Sequence, residues 1–410
     1  MHVVMLSDLE TSGGAAIAAS RLAEALVQAG VRVTRIVSYP DGKEHPWATQ
    51  VLRVRVLLRE KVVLRALEAV STPLAIFARE RLVCQRLQDL LMKLRPDVIN
   101  VHNLHSAGWP PDLVAVCTHH APTVWTLHDM WSFTGRCAYA YDCRKFITGC
   151  DAECPTPTES PALSPGLITG AWRRRKKLFA RYPSVVAVCP SRWLAQEASR
   201  GFWKNHRVEV IPNGLSLKVY RPIEKDLALR ALGIETSAPV LLVAAQNLNE
   251  RRKGGRILVE ALQRIRTRPL TLITLGHGRI PVETDGIASC SLGFIDHERT
   301  RVLAYNAADL FVHPAPVDNL PNVVMEAIAC GTPVIGFAVG GVPDMVRAGQ
   351  TGWLANEVSP EALAATVDTA LAGLYSGLNL QDSCRAVAEA EYSSELQAQR
   401  YVALFDSLLT

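Results

Sequence analysis

No run of about 18 apolar residues occurs in the chain, so no transmembrane helix is expected. The first residues, MHVVMLSDLE, lack a basic segment ahead of a long apolar one. A secretory signal is therefore not expected, and the expectation is a cytoplasmic protein. There is no Asp-x-Asp pair, which removes a short carboxylate motif for Mg²⁺. The opening glycines do not spell Gly-x-Gly-x-x-Gly, so a dinucleotide fingerprint is missing. No internal repeat, coiled coil or long disordered stretch is visible. No nucleic-acid-binding motif accompanies the net charge of +5, and nucleic acid is not an expected partner.

What is present is a globular chain of 410 residues, 49% hydrophobic and 20% charged, which predicts two domains with ample core. The small net charge hides an asymmetry. Residues 1–215 hold 27 Lys and Arg against 18 Asp and Glu, whereas residues 216–410 hold 17 against 21. The basic excess gathers at Arg53 to Arg65 and at Arg173 to Lys177. Such stretches suit either an anionic membrane surface or a solvated helix face.

Short apolar runs alternate with helical patterns, which predicts an α/β protein with parallel sheets. His2–Ser7 reads as a strand, Gly13-Gly14 as a turn, and Ala15–Gly30 as a helix. A glycine turn there allows close backbone approach to a ligand. Residues 50–95 read as helical and basic. Asp97–Val101 and Thr123–Leu127 read as buried strands ending in His102, His105 and His128-Asp129. Ligands of open parallel sheets lie beyond strand C-termini. His128 is therefore placed either to reach a ligand hydroxyl or simply to cap its loop.

Cys137, Cys143, Cys150 and Cys154 fall within eighteen residues, with spacings x5, x6 and x3. Three readings stay open: a structural zinc on four thiolates, free thiols, or disulfides. Further on, Pro212-Asn213-Gly214 reads as a turn between domains. Pro239–Ala245 is a strand, and its following loop carries Arg251, Arg252 and Lys253 before Gly254-Gly255. Those cations suit a diphosphate, or the loop is merely solvated. Ser359–Leu374 and Glu389–Leu409 read as helices.

The densest signal is Val317–Gly341, VDNLPNVVMEAIACGTPVIGFAVGG. It reads as loop, helix, turn, strand and loop. Asp318 and Asn319 suit an N-cap, and Pro321 the first helical turn. Glu326 falls among apolar neighbours, so it needs a hydrogen-bonding partner or must lie on an exposed side. Helix N-termini beside strand ends are ready anion sites.

This stretch resembles the acidic-x7-Glu signature of retaining glycosyltransferases of family 4. The resemblance is strongest over residues 317–344, extends to 1–30 and 123–132, and is weak over 40–95. It implies the GT-B fold, with two Rossmann-like domains facing a cleft: residues 1–215, with a Cys-rich insert at 135–155 forming a lid-like loop, and residues 216–388. A C-terminal helix at 389–410 would return to the first domain. It implies a nucleotide-sugar donor of UDP or GDP type and a glycan or lipid-linked acceptor, in a bacterial exopolysaccharide branch. It implies Lys253 and Arg252 at the diphosphate, Asp318 at the donor sugar and Glu326 at the ribose. It further implies His128 at a sugar hydroxyl, and Gly13, Gly14, Asn319 and Leu320 in donor binding. No cofactor is then required for catalysis, and zinc remains only as a structural reading of the cysteines. The first acidic residue is usually Glu rather than Asp, and the usual Arg after the strand is replaced by Gln246 or Asn247. These departures keep a second expectation in play, a GT-B scaffold with weak catalysis. A pyridoxal-type phosphorylase is not expected, because no cofactor-lysine motif is apparent.

Overall fold

Among the described residues every strand pairing is parallel. The computed structural model describes residues 1–41, 50–53 and 58–410. They divide into two units, Met1–Ile211 with Gln397–Thr410, and Pro212–Leu396. Among the described residues no helix is long and apolar enough to cross a membrane.

Among its described residues the first unit carries seven strands: β1 (His2–Leu9), β2 (Arg32–Tyr39), β3 (Gln50–Arg53), β4 (Val98–Val101), β5 (Thr123–Thr126), β6 (Val186–Cys189) and β7 (Val208–Val210). Their order is β3-β2-β1-β4-β5-β6-β7. Successive side chains of a strand point to opposite faces. Val3 and Met5 accordingly pack on Ala19 and Leu22 of helix Gly14–Gln28 and on Tyr401 and Phe405 of the C-terminal helix. Val4 and Leu6 pack on the other face with Leu87, Leu91 and Trp125. Both faces are covered, which is why these strands read as unbroken apolar runs. Each fully buried side chain of this size contributes roughly 1.5–3 kcal/mol.

The second unit carries β8 (Val240–Asn247), β9 (Leu270–His277), β10 (Ile287–Gly293), β11 (Leu310–His313), β12 (Val334–Phe337) and β13 (Gly352–Ala355). Their order is β10-β9-β8-β11-β12-β13. Leu242 and Ala244 face one core, and Leu241 and Val243 the other. In each sheet the order reverses once, between β1 and β4 and between β8 and β11. Ligands of doubly wound sheets bind at such reversals, beyond the strand C-termini.

Several expectations are corrected. Residues 50–53 form an edge strand rather than helix, and a helix is described over Leu58–Val70. Of the basic stretch Arg53–Arg65, residues 54–57 lie outside the described residues. The division falls at Ile211/Pro212, four residues before the expected boundary. The stretch expected as one helix from Glu389 is broken: helix Gln381–Glu391 belongs to the second unit, and a new helix runs Ser394–Leu409. Leu215 and Ser393 form an isolated bridge at the break. From Gln397 onward the chain belongs to the first unit, where Tyr401 shares a 2.9 Å hydrogen bond with Thr126. The run Arg173–Lys177 is not a uniform solvated face. Arg175 is 5% exposed and Arg174 is paired with Glu80 and Asp112, leaving Arg173, Lys176 and Lys177 outward.

Candidate active site

Two clusters lie beyond strand C-termini, one in each unit: at the β8/β11 reversal in the second, and beyond β4 and β5 in the first. In the second unit the loop after β8 turns through Arg251–Lys253 and enters helix Gly255–Leu262. Gly254 makes the turn at φ 75°, and a Cβ there would stand 1.9 Å from the Pro314 carbonyl oxygen. Only glycine lets the loop press against the end of β11. The contact brings the two cations to Asp318, which leaves the loop after β11. Lys253 Nζ donates to Asp318 Oδ2 at 3.0 Å, and Arg252 Nη1 reaches the same oxygen at 3.4 Å. The Asn319 amide donates to Oδ1 at 3.0 Å. Asp318 and Asn319 are 6% and 3% exposed. Burial alone would raise the Asp318 carboxyl, but the charges of Lys253, Arg252 and His313 outweigh it and hold it well below the usual carboxylate range. Arg252 Nε also pairs with Glu250 Oε1 at 3.1 Å, so two cations and two carboxylates meet here, and an anion would compete with the carboxylates for the cations.

His313, the last residue of β11, lies with Nε2 3.6 Å from Asp318 Oδ2. It is 3% exposed and Nε2 has no hydrogen-bond partner. Burial pushes its pKa down to about 4, against the pull of Asp318. It is therefore neutral at pH 7. Sequence reading passed over His313, although the strand-end argument applied to His128 covers it equally.

Neither Asp318 nor Asn319 occupies the N-cap position of the following helix, and Pro321 is not inside it. The helix is Asn322–Ala329 and Pro321 occupies its N-cap position. Gly340, at φ 58°, turns back against Asp318, whose carbonyl oxygen accepts from the Gly341 amide at 3.0 Å. Glu326 points inward, 4% exposed, and its partner is another side chain of the same unit. The Tyr305 hydroxyl donates to Glu326 Oε2 at 2.7 Å. Burial raises the Tyr305 phenol well above its usual range, and the Glu326 charge raises it further. Arg301 feels the Glu326 charge and donates to Tyr220 Oη at 3.1 Å. Neither Tyr305 nor Arg301 was singled out in the sequence, because they come from helix Glu298–Ala307. Leu320 is 6% exposed and belongs to the core beneath this helix.

In the first unit, His102, His105, His128 and Asp129 line one pocket beyond β4 and β5. His102 Nδ1 and His128 Nε2 share a hydrogen bond at 2.9 Å, and their rings stack. Burial pushes His128 down to about 4 and His102 well below its ordinary value. Both are neutral, which lets one ring donate and the other accept. His105 Nε2 pairs with Asp129 Oδ2 at 2.9 Å. Burial opposes charge on His105, but Asp129 outweighs it and raises the pKa. Gly13, at φ 90°, precedes the helix that begins at Gly14, beyond β1.

The structure thus brings Arg252, Lys253, Asp318 and Asn319 together, with Glu326 one helix behind them. It places His128, Gly13 and Gly14 in the first unit. The four cysteines line a separate pocket of that unit.

Two parallel sheets, each reversed once and each presenting a cluster beyond its strand C-termini, define a GT-B protein. Solved structures agree on the fold: sucrose-phosphate synthase from Thermosynechococcus elongatus superposes with a TM-score of 0.73 at 20% identity, covering 99% of this chain and 98% of its own. Anabaena HepE, in complex with UDP and glucose, gives 0.67 at 17% identity, with each chain covered in full. The chain belongs to Glycosyltransferase Family 4, whose model matches residues 12–219, over half of the sequence. A second model, glycosyl transferases group 1, matches residues 238–372. Among curated relatives, the "Putative colanic acid biosynthesis glycosyl transferase WcaC" of Escherichia coli K12 is 30% identical over 250 residues, 58% of this chain and 59% of that protein. A D-inositol 3-phosphate glycosyltransferase of Actinosynnema mirum is 34% identical over 195 residues, 41% of this chain and 46% of its own. The chain therefore spans about half the length of these relatives.

Proposed function

We propose that this protein transfers a sugar from a UDP- or GDP-type donor to a glycan or lipid-linked acceptor, with retained configuration. The carrying observation is the Lys253–Asp318–Arg252 cluster at the β8/β11 reversal. In this reading the donor diphosphate takes Lys253 and Arg252, the backbone at Asn319 and Leu320 lies against the donor, and Asp318 turns to the donor sugar. Glu326, steadied by Tyr305, receives the ribose hydroxyls. His128 is neutral and offers a ring nitrogen to a sugar hydroxyl, and the Gly13-Gly14 turn leaves room for the donor.

The acceptor oxygen attacks the anomeric carbon on the face from which the diphosphate leaves. The carbon–oxygen bond to phosphate breaks, and the acceptor proton passes to the departing phosphate oxygen. The two cations stabilise charge that grows on that oxygen, which is the term that most lowers such barriers. No metal is required for catalysis in this reading. UDP is favoured as the nucleotide by HepE, whose solved complexes hold UDP and UDP-glucose. A role in bacterial exopolysaccharide assembly is supported by the resemblance to WcaC.

Helices Leu58–Val70 and Thr72–Leu94 support a peripheral site on an anionic membrane. They expose Val62, Val63, Val70 and Phe77 among outward Lys61, Arg65, Arg79 and Arg81. Flotation with vesicles containing anionic lipid is expected to carry the protein, and flotation equal to that with neutral vesicles would remove the membrane from the proposal.

The deciding experiment is calorimetry with UDP, GDP and ADP on the wild type and Glu326→Ala, followed by turnover of the matching nucleotide sugars. One nucleotide should bind selectively and lose affinity in the variant. Absence of binding by any of them sinks the donor-site reading. Selective binding without turnover would leave a binding scaffold in place of a transferase.

A further inference from the structure

The sequence pattern that sugar transfer does not use is the cysteine cluster. Between Phe133 and Pro165 the chain has one four-residue helix, Lys145–Thr148. A connection of this length without strands is uncommon unless something anchors it. All ten cysteines of the chain are free thiols, and Cys137, Cys143, Cys150 and Cys154 line a single pocket at the base of this loop. Cys150 interacts electrostatically with each of the other three. Gly135 is pressed between Cys150 and Ile168, where a Cβ would meet carbon atoms of both at 2.7 Å.

The surroundings of the sulfurs are cationic and rich in donors. The Gly135 amide donates to Cys150 Sγ at 3.2 Å, and Arg136 Nη1 lies 3.9 Å from Cys154 Sγ. Arg136 is 2% exposed and bonds to the carbonyls of Pro161, Thr156 and Glu159. Arg175, also buried, donates to the carbonyls of Thr134 and Gly135 and lies 4.1 Å over the Trp131 ring. Its Nε has no hydrogen-bond partner, and it interacts electrostatically with Cys137 and Cys150. Among the described residues neither arginine forms a salt bridge with a carboxylate. Arg175 feels the charge of Asp129 without pairing with it, and two buried guanidiniums that lack an ion-pair partner are costly unless an anionic centre lies beside them.

We propose that Cys137, Cys143, Cys150 and Cys154 bind one zinc ion as a structural four-thiolate centre, with Arg136 and Arg175 balancing its charge. Zn²⁺ forms four Zn–S bonds and the four thiols release four protons to solvent. The centre then carries two negative charges, matched by the two guanidiniums. Among the described residues no three His, Cys, Asp or Glu side chains are already arranged to hold a metal. The sulfurs therefore turn inward on binding, by changes of χ1 between staggered wells, to reach bonds of about 2.3 Å. The ion would tie the ends of the loop together in place of regular secondary structure. This inference does not rest on the sugar-transfer reading and can fail or stand without it.

The test uses the full chain, reduced, incubated with zinc chloride and desalted. Elemental analysis is expected to find about one zinc per chain. A thiol-directed mercurial should release it as four thiols are titrated. Cobalt in its place should give the intense visible bands of a tetrahedral thiolate site. The double variant Cys143→Ser/Cys154→Ser should lose the metal, whereas Cys290→Ser, far away in sequence on β10, should keep it. Arg136→Gln and Arg175→Gln keep all four ligands and should each weaken zinc binding by roughly tenfold. They guard against a cysteine variant that simply fails to fold. No zinc retained by the wild type, a mass lowered by two hydrogens per cysteine pair, or an iron–sulfur absorbance would each overturn the proposal.

Discussion

Replacing His313 by Gln should flatten the acid limb of the stability curve. The ring is buried at the end of β11 with its pKa lowered to about 4, against 6.5 for an exposed histidine. A folded-state pKa below the unfolded one means that the unfolded chain binds the extra proton first. The stability contributed by keeping the ring neutral is complete above about pH 6.5 and is lost as the pH falls toward 4. The full difference of about 2.5 pKa units corresponds to roughly 3 kcal/mol, of which about 2 kcal/mol is lost between pH 7 and pH 5. Asp318, 3.6 Å away, titrates far below this window and adds nothing to the slope there. His102 and His128 titrate in the same direction, but they are common to both proteins and cancel in the comparison. Urea unfolding of the wild type and His313→Gln at intervals between pH 7 and pH 5 measures the difference. Gln does not titrate, so the variant should lose about 2 kcal/mol less over that range. Parallel slopes for the two proteins would falsify the claim that His313 is held neutral in the fold.

Lys253→Met removes the closer cation from Asp318 and from the proposed diphosphate. Turnover should fall about 100-fold or more in kcat, with the nucleotide affinity reduced as well; an unchanged kcat would place the charge stabilisation elsewhere. Gly254→Ala sets a Cβ against the Pro314 carbonyl in a left-handed turn, and thermal or urea unfolding should show a loss of at least about 2 kcal/mol. A loss of only a few tenths would mean that the loop is not pressed on β11. Tyr305→Phe leaves Glu326 without a 2.7 Å donor and should cost about 1–3 kcal/mol of stability while weakening nucleotide binding in calorimetry. Unchanged nucleotide affinity in that variant would separate Glu326 from the donor.

Local pattern made much of the fold readable. An apolar run of four to eight residues covered on both faces has only one comfortable fate in a chain of alternating helices, and the inner strands were visible for that reason. The edge strands β3 and β13 were not, because Gln50–Arg53 and Gly352–Ala355 carry no such run. The cleaner errors came at boundaries. Pro321 looked like a first-turn residue and is an N-cap, and Glu389–Leu409 looked continuous although Leu215 pairs with Ser393 at its break. The basic run Arg173–Lys177 suited a membrane surface or a solvated face as a block, yet helical geometry turns Arg175 inward against Trp131.

The sequence by itself determined which inner segments are strands, where glycine must turn the chain, and that Asp318 and Glu326 share one short segment. Those properties depend on residues within a few positions of one another, and side-chain period and backbone sterics act at that range. Only the tertiary structure decided that Lys253 and Arg252 meet Asp318, that Tyr305 steadies Glu326, that His102 pairs with His128, and that four cysteines share a pocket with the buried Arg136. All but the last of those meetings join side chains from different elements. Strand order and helix packing set such approaches, and no local periodicity encodes them.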